Sequence, residues 1–97
     1  MQVRFLRPAR QELADAFAYY EAQRPGLGES FRKAAWGAVE RVRHSPRAFP
    51  LVDEQLRRCR VSRFPYWILY TADEDGILIA AVAHVRRAPH NWRGRRR

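Results

Sequence analysis

Six arginines crowd one stretch of this chain, Arg57, Arg58, Arg60 and Arg63 at its start and Arg86 and Arg87 at its end. A guanidinium is a planar fork of donors that matches a carboxylate or a phosphate. Several of them on one surface recognise a polyanion or an acidic protein. Tyr66 and His84 stand between the two groups, and Trp92 follows the second. The patterns of other chemistries are missing. There is no glycine-rich phosphate loop, no metal-ligand spacing and no Ser/His/Asp arrangement. The reading therefore expects no metal and no cofactor.

Such a surface needs a scaffold, and the runs around the arginines supply one. Residues 56–64, 66–71 and 76–85 read as strands. The last two are joined by a turn at Asp75-Gly76, where glycine accepts a positive φ. Cys59 and Val61 should face one side of the first of these strands, and Arg58, Arg60 and Ser62 the other. Ile68, Leu69, Ile77, Ile79, Ala81 and Val82 are core candidates. Pro65 requires a bulge, an edge or a turn. A three-strand meander would bring the segment around Arg60 and Arg63 next to His84, Arg86 and Arg87. The expectation is one convergent basic surface.

The first half of the chain should lie behind that sheet. Val3 and Phe5 alternate with Gln2 and Arg4, a short strand. Leu13, Ala16, Phe17 and Tyr20 recur at helical spacing over residues 9–23, with Pro8 in the first turn. Arg24-Pro25-Gly26-Leu27-Gly28 breaks that helix. A second stripe follows: Leu27, Phe31, Ala34, Ala35, Ala38 and Val42, flanked by Trp36 and Val39. Ser45-Pro46 stops it. So short a link implies an antiparallel α-hairpin. Neither helix can bury its stripe on the other alone, so both should pack on the sheet. The expected fold is α+β in the order β-α-α-β-β-β, an antiparallel sheet of about four strands with the α-hairpin on one face. Residues 1–97 read as a single domain whose last residues, about 93–97, form a frayed basic tail.

Composition sharpens the class. The formal net charge is +9. Nearly all of the excess falls after residue 54, and no acidic residue follows Asp75. Lys33 is the only lysine among 19 basic residues. One cysteine, Cys59, can build neither a disulfide framework nor a multi-cysteine zinc site. The N-terminus lacks the apolar segment of a signal peptide. The longest apolar run, residues 77–85, falls short of the roughly 20 residues a membrane-spanning helix needs. The expectation is a cytoplasmic protein with no membrane contact.

The order of segments and their wording resemble the RelE/ParE superfamily of toxins from type II toxin–antitoxin modules. The matching stretches are Glu12-Leu13 with Tyr19-Tyr20-Glu21, then Arg24-Pro25-Gly26-Leu27-Gly28 with Phe31. Phe49-Pro50, Arg57-Arg58 and Phe64-Pro65-Tyr66 with Tyr70 follow. The run from Ile77 to His84, Arg87-Ala88-Pro89 and Trp92 complete the match. The resemblance implies a growth inhibitor held inactive by a cognate antitoxin, in a heterotetramer or larger complex. It also implies one of two targets. RelE-like members cut mRNA in the ribosomal A site, and ParE-like members poison DNA gyrase.

Cleavage of RNA by its 2′-OH needs a proton acceptor, a proton donor and cations for the phosphorane. His84, Arg63 and Arg87 are the catalytic candidates if the chain is a nuclease, with Arg60 as a further cation and Tyr66 or Tyr70 assisting. RelE-like nucleases, however, usually carry an arginine directly after the aromatic that opens the third strand. Here Trp67 follows Tyr66. Trp92 and Arg93 stand where such nucleases often carry a tyrosine. The ParE-like reading, with gyrase as target, is the lead. Its antitoxin- or target-binding residues are Arg57, Arg58, Arg60, Arg63, Tyr66, Arg86, Arg87 and Trp92. The alternatives are a RelE-like mRNA endonuclease and a non-toxic RNA-binding domain.

Overall fold

The computed structural model describes residues 1–86 and Arg95. The order is β1 (Val3–Phe5), α1 (Arg7–Gln23), α2 (Leu27–His44), β2 (Arg57–Arg60), β3 (Tyr66–Asp73) and β4 (Gly76–His84). This is the expected α+β sequence of elements.

Both helices follow their stripes. Pro8 sits in the first turn of α1, whose N-cap Leu6 supplies no side-chain bond. Between the helices, Gly26 takes φ 91°, a left-handed conformation that suits glycine. The Glu21 carboxylate reaches over from α1. It accepts the Gly26 N–H at 3.0 Å and the Gly28 N–H at 3.0 Å. An anion from one helix thus caps the positive end of the next. Gly28 itself is a close-approach residue: a Cβ there would stand 2.7 Å from the Phe17 carbonyl oxygen. The glycine pair of the linker does two jobs, one conformational and one steric.

The sheet order is β1-β4-β3-β2. The meander β2-β3-β4 is antiparallel, as expected. The fourth strand differs: β1 pairs in parallel with β4, Val3 opposite Ile77 and Phe5 opposite Ile79. The sheet is therefore mixed. A three-residue alternation shows that a strand exists but not whom it pairs with or in which sense. The turn also sits one residue earlier than Asp75-Gly76, because Asp73 pairs with Gly76 and leaves Glu74-Asp75 as the loop. Gly76 still needs its φ of 137°, and a Cβ there would meet the carbonyl oxygen of Gln2, just before β1.

The core lies between the sheet and the helices. Phe31, Ala35, Ala38 and Val42 of α2 pack with Ala9 and Ala16 of α1 over Cys59, Ile68, Ile79 and Val82. Val39 is buried with them, whereas Trp36 is exposed and meets the Phe5 ring in an edge contact at 5.7 Å between centroids. Ile79 and Val82 share this face although three positions separate them. A bulge explains it: Leu69 pairs with Ala81 but Tyr70 with Ile79, so Ala80 is the extra residue. On the opposite face Leu56, Leu69, Ala80, Ala81 and Ala83 form a second buried cluster that includes part of Trp67.

The long connection from α2 to β2 is pinned from beneath. The buried Tyr70 hydroxyl donates to the Pro46 carbonyl at 2.7 Å, and Arg57 Nη1 donates to the Phe49 carbonyl at 2.7 Å. Burial pushes the Tyr70 phenol from 10.0 up to about 12, with Arg57 opposing. A folded pKa above the unfolded one means stability that is complete below pH 10 and lost as pH rises towards 12. The expected result is an alkaline loss of stability that a Tyr70→Phe variant lacks, read by denaturant titration at pH 9 and pH 11.

Candidate functional site

Strand β2 alternates as its sequence requires. Cys59 points into the core while Arg58 and Arg60 are exposed on the far face. Opposite Arg60 in the register stands Trp67 of β3. The two guanidiniums gather on that indole. The Arg58 carbon Cζ lies 4.4 Å from the ring centroid and that of Arg60 5.6 Å. Arg60 is held further by its Nε, which donates to the Phe64 carbonyl at 3.3 Å. Stacking on an aromatic ring orders a guanidinium without consuming its donors, so both forks remain oriented for an incoming oxygen.

A second group of the expected residues meets at the end of the sheet. The Val85 N–H donates to the Pro65 carbonyl at 2.9 Å, drawing the exit of β4 to the β2–β3 connection. Arg63, in that connection, holds φ 69°. A non-glycine residue pays roughly 1 kcal/mol for such a conformation. Tyr66 and His84 pair across β3 and β4, their rings in an edge contact at 5.3 Å. Tyr66 leans in turn on Phe31, at 5.1 Å, and so couples this end to the core. Arg86 is exposed just beyond. Tyr66 and His84 thus lie on the helix side of the sheet, whereas Trp67, Arg58 and Arg60 lie on the opposite face, so the single convergent surface expected from the sequence is divided between two faces.

Arg57 does not join them. Its side chain turns to the helix side and holds the Phe49 carbonyl, with the Arg47 carbonyl at 3.4 Å. Arg87 and Trp92 lie outside the described residues. Sequence reasoning missed Trp67 as a site residue, treating it only as a departure from a nuclease pattern. Its cross-strand position opposite Arg60 was the available signal.

His84 has a defined orientation. Its Nδ1 accepts the Arg86 backbone N–H at 3.2 Å. In the neutral ring that leaves the proton on Nε2. The nitrogen free to face a substrate is then a donor, and the basic nitrogen is turned to the backbone.

Among the described residues there is no group of three His, Cys, Asp or Glu that could hold a metal ion. Among the described residues, no helix is long and apolar enough to cross a membrane.

Comparison with known proteins now bears on this architecture. Residues 3–89 match the family model for the ParE toxin of the type II toxin-antitoxin system parDE. The chain belongs to the ParE toxin family. A search of curated proteins gives no significant match. Among solved structures, this ParE-family chain is similar to one described as the chromosomal ParDE TA system from P. aeruginosa. The TM-score is 0.64 at 19% identity, covering 87% of this chain and 95% of that one. At that identity the likeness speaks for the fold.

The family match spans all six elements and thus the whole arginine–tryptophan surface. The ParE-like branch, rather than the RelE-like one, is the correct placement.

Proposed function

We propose that this chain is a growth-inhibiting toxin, that a cognate antitoxin neutralises it by covering the Arg58–Trp67–Arg60 surface, and that its target is DNA gyrase in the cytoplasm. The observation that carries the reading is the indole with two guanidiniums against it. At the position after Tyr66, RelE-like nucleases usually carry an arginine. This chain places a tryptophan that orders cations contributed by the neighbouring strand. That arrangement suits an acidic or amphipathic antitoxin segment, whose carboxylates can meet the forks while an apolar side chain packs on the ring. The orientation of His84 supports the same side of the choice, since a general base needs its lone pair towards the substrate. An antitoxin gains specificity here from two fixed charges and the flat apolar ring they rest on.

The test is induced expression without the antitoxin. Double-strand breaks and an SOS response with intact bulk mRNA are expected, and growth should return when the antitoxin is co-expressed. Early codon-specific cuts in translated mRNA, mapped by primer extension, would instead establish the endonuclease. Absence of toxicity together with steeply salt-dependent RNA binding would establish the RNA-binding domain.

A further inference from the structure

The basic C-terminal end was expected to be a solvated tail, yet Arg95 is engaged with the folded body. Its Nη1 and Nη2 meet Oε1 and Oε2 of Glu12 at 3.0 Å each, a bidentate pair. Nη1 also donates to the Ala80 carbonyl at 3.0 Å. The two side chains are only 20% and 15% exposed. Glu12 has a further role, because its Oε1 accepts the Val82 backbone N–H at 3.0 Å.

The location follows from the sheet. Strand β1 covers β4 only from Ile77 to Ile79. At Ala80 the bulge begins and the chain has already turned into α1. The edge of β4 therefore continues past its partner strand. Glu12, one turn into α1, supplies the acceptor that a strand would have supplied to Val82. Arg95 supplies the donor for Ala80. Together they close the edge with side chains.

We propose that Glu12 and Arg95 form an intramolecular clasp that withholds one C-terminal arginine from nucleic acid. In a chain of net charge +9, every free arginine adds to non-specific binding of DNA and RNA. Such binding competes with recognition of any single protein partner. With both Nη atoms of Arg95 engaged by a carboxylate and a carbonyl, and its charge paired, this arginine is withheld from phosphate contact. The clasp thus favours selective over non-specific binding, independently of which partner the Arg58–Trp67–Arg60 surface takes.

The measurement is the salt dependence of binding to a mixed-sequence DNA duplex, used as a polyanion probe. Each phosphate contact adds about 0.9 to the slope of log K against log salt. Arg95→Gln in the native background is expected to leave the slope unchanged. In a Glu12→Gln background, where the arginine is released, the same substitution should lower it by about 0.9, which is roughly a 3.5-fold difference between 50 and 200 mM salt. Using both backgrounds cancels the charge lost at Glu12 itself. An equal loss of slope in both overturns the proposal, and so does no loss in either. A readout on the unaltered chain does not depend on a variant folding. Slow rotation about the Cζ–Nη bonds of Arg95, seen by NMR, should persist when duplex is added. Fast rotation in the free chain, or its appearance with duplex, would overturn the clasp.

Discussion

Phe31→Ala is expected to leave the chain only marginally stable, with a measurable unfolded fraction at 37 °C. Phe31 is fully buried, and its ring meets three others, Tyr20 at 5.3 Å, Phe64 at 5.2 Å and Tyr66 at 5.1 Å. Those partners come from α1, the β2–β3 connection and β3, so one side chain joins both helices to the sheet. Truncating a buried Phe costs about 3–5 kcal/mol, the more so where the cavity cannot collapse. Collapse is resisted here because the helices already touch at Gly28, where a single added carbon would clash. A small domain has about 5–15 kcal/mol in all, and one of this length belongs near the lower end. Urea denaturation followed by far-UV circular dichroism measures the loss. Phe31→Leu, which keeps most of the volume, should cost about 1–1.5 kcal/mol. Tyr19→Ala, at an exposed position of α1, should stay within about 0.5 kcal/mol of the native chain.

That core was legible because periodicity is a local signal. Phe31, Ala35, Ala38 and Val42 recur on one side of a helix whatever they pack against, and all are buried. The hairpin residues Ile68, Ile77 and Ile79 were legible for the same reason. What local pattern could not carry was pairing. Three residues of alternation could not reveal that β1 joins β4 in parallel, because the sense is set by the α-hairpin and meander that intervene. The bulge at Ala80 was equally silent, since an apolar run of small residues fits either register. The linker glycines announced a break in the chain. Their second duty at Gly28 depends on how close two helices come, which no composition shows.

The candidate surface was legible by charge, and the facing of Arg58 and Arg60 by alternation, but the role of each arginine was not. The arginine-rich stretch does contain the surface, but counting guanidiniums treats Arg57 and Arg58 alike. Alternation places Arg57 on the core side with Cys59, where its fork serves two backbone carbonyls. Trp67 escaped notice for the opposite reason: it is uncharged, yet two charges are arranged around it. Glu12 and Arg95 are 83 positions apart, and nothing local links them.

This separation of roles yields the second large effect. Arg58→Glu/Arg60→Glu is expected to weaken binding of the cognate antitoxin at least a hundredfold, about 2.8 kcal/mol. Two attractive charges become repulsive ones at the centre of the proposed contact, and like charges across an interface cost several kcal/mol. Both side chains are exposed, so the melting temperature should hardly change. Arg57→Gln should do the reverse, lowering stability through the loosened 46–50 loop while leaving affinity intact. Trp67→Leu probes the indole alone: it keeps both charges and removes the ring on which they stack. Its loss should be smaller, about tenfold, and should appear in the dissociation rate, because the charges that steer encounter remain. Calorimetric titration and surface-immobilised kinetics with the purified antitoxin separate the three cases. If Arg57→Gln lost affinity as the double reversal does, the binding surface would lie on the helix side of β2, and the Arg58–Trp67–Arg60 face would be only a solvated edge.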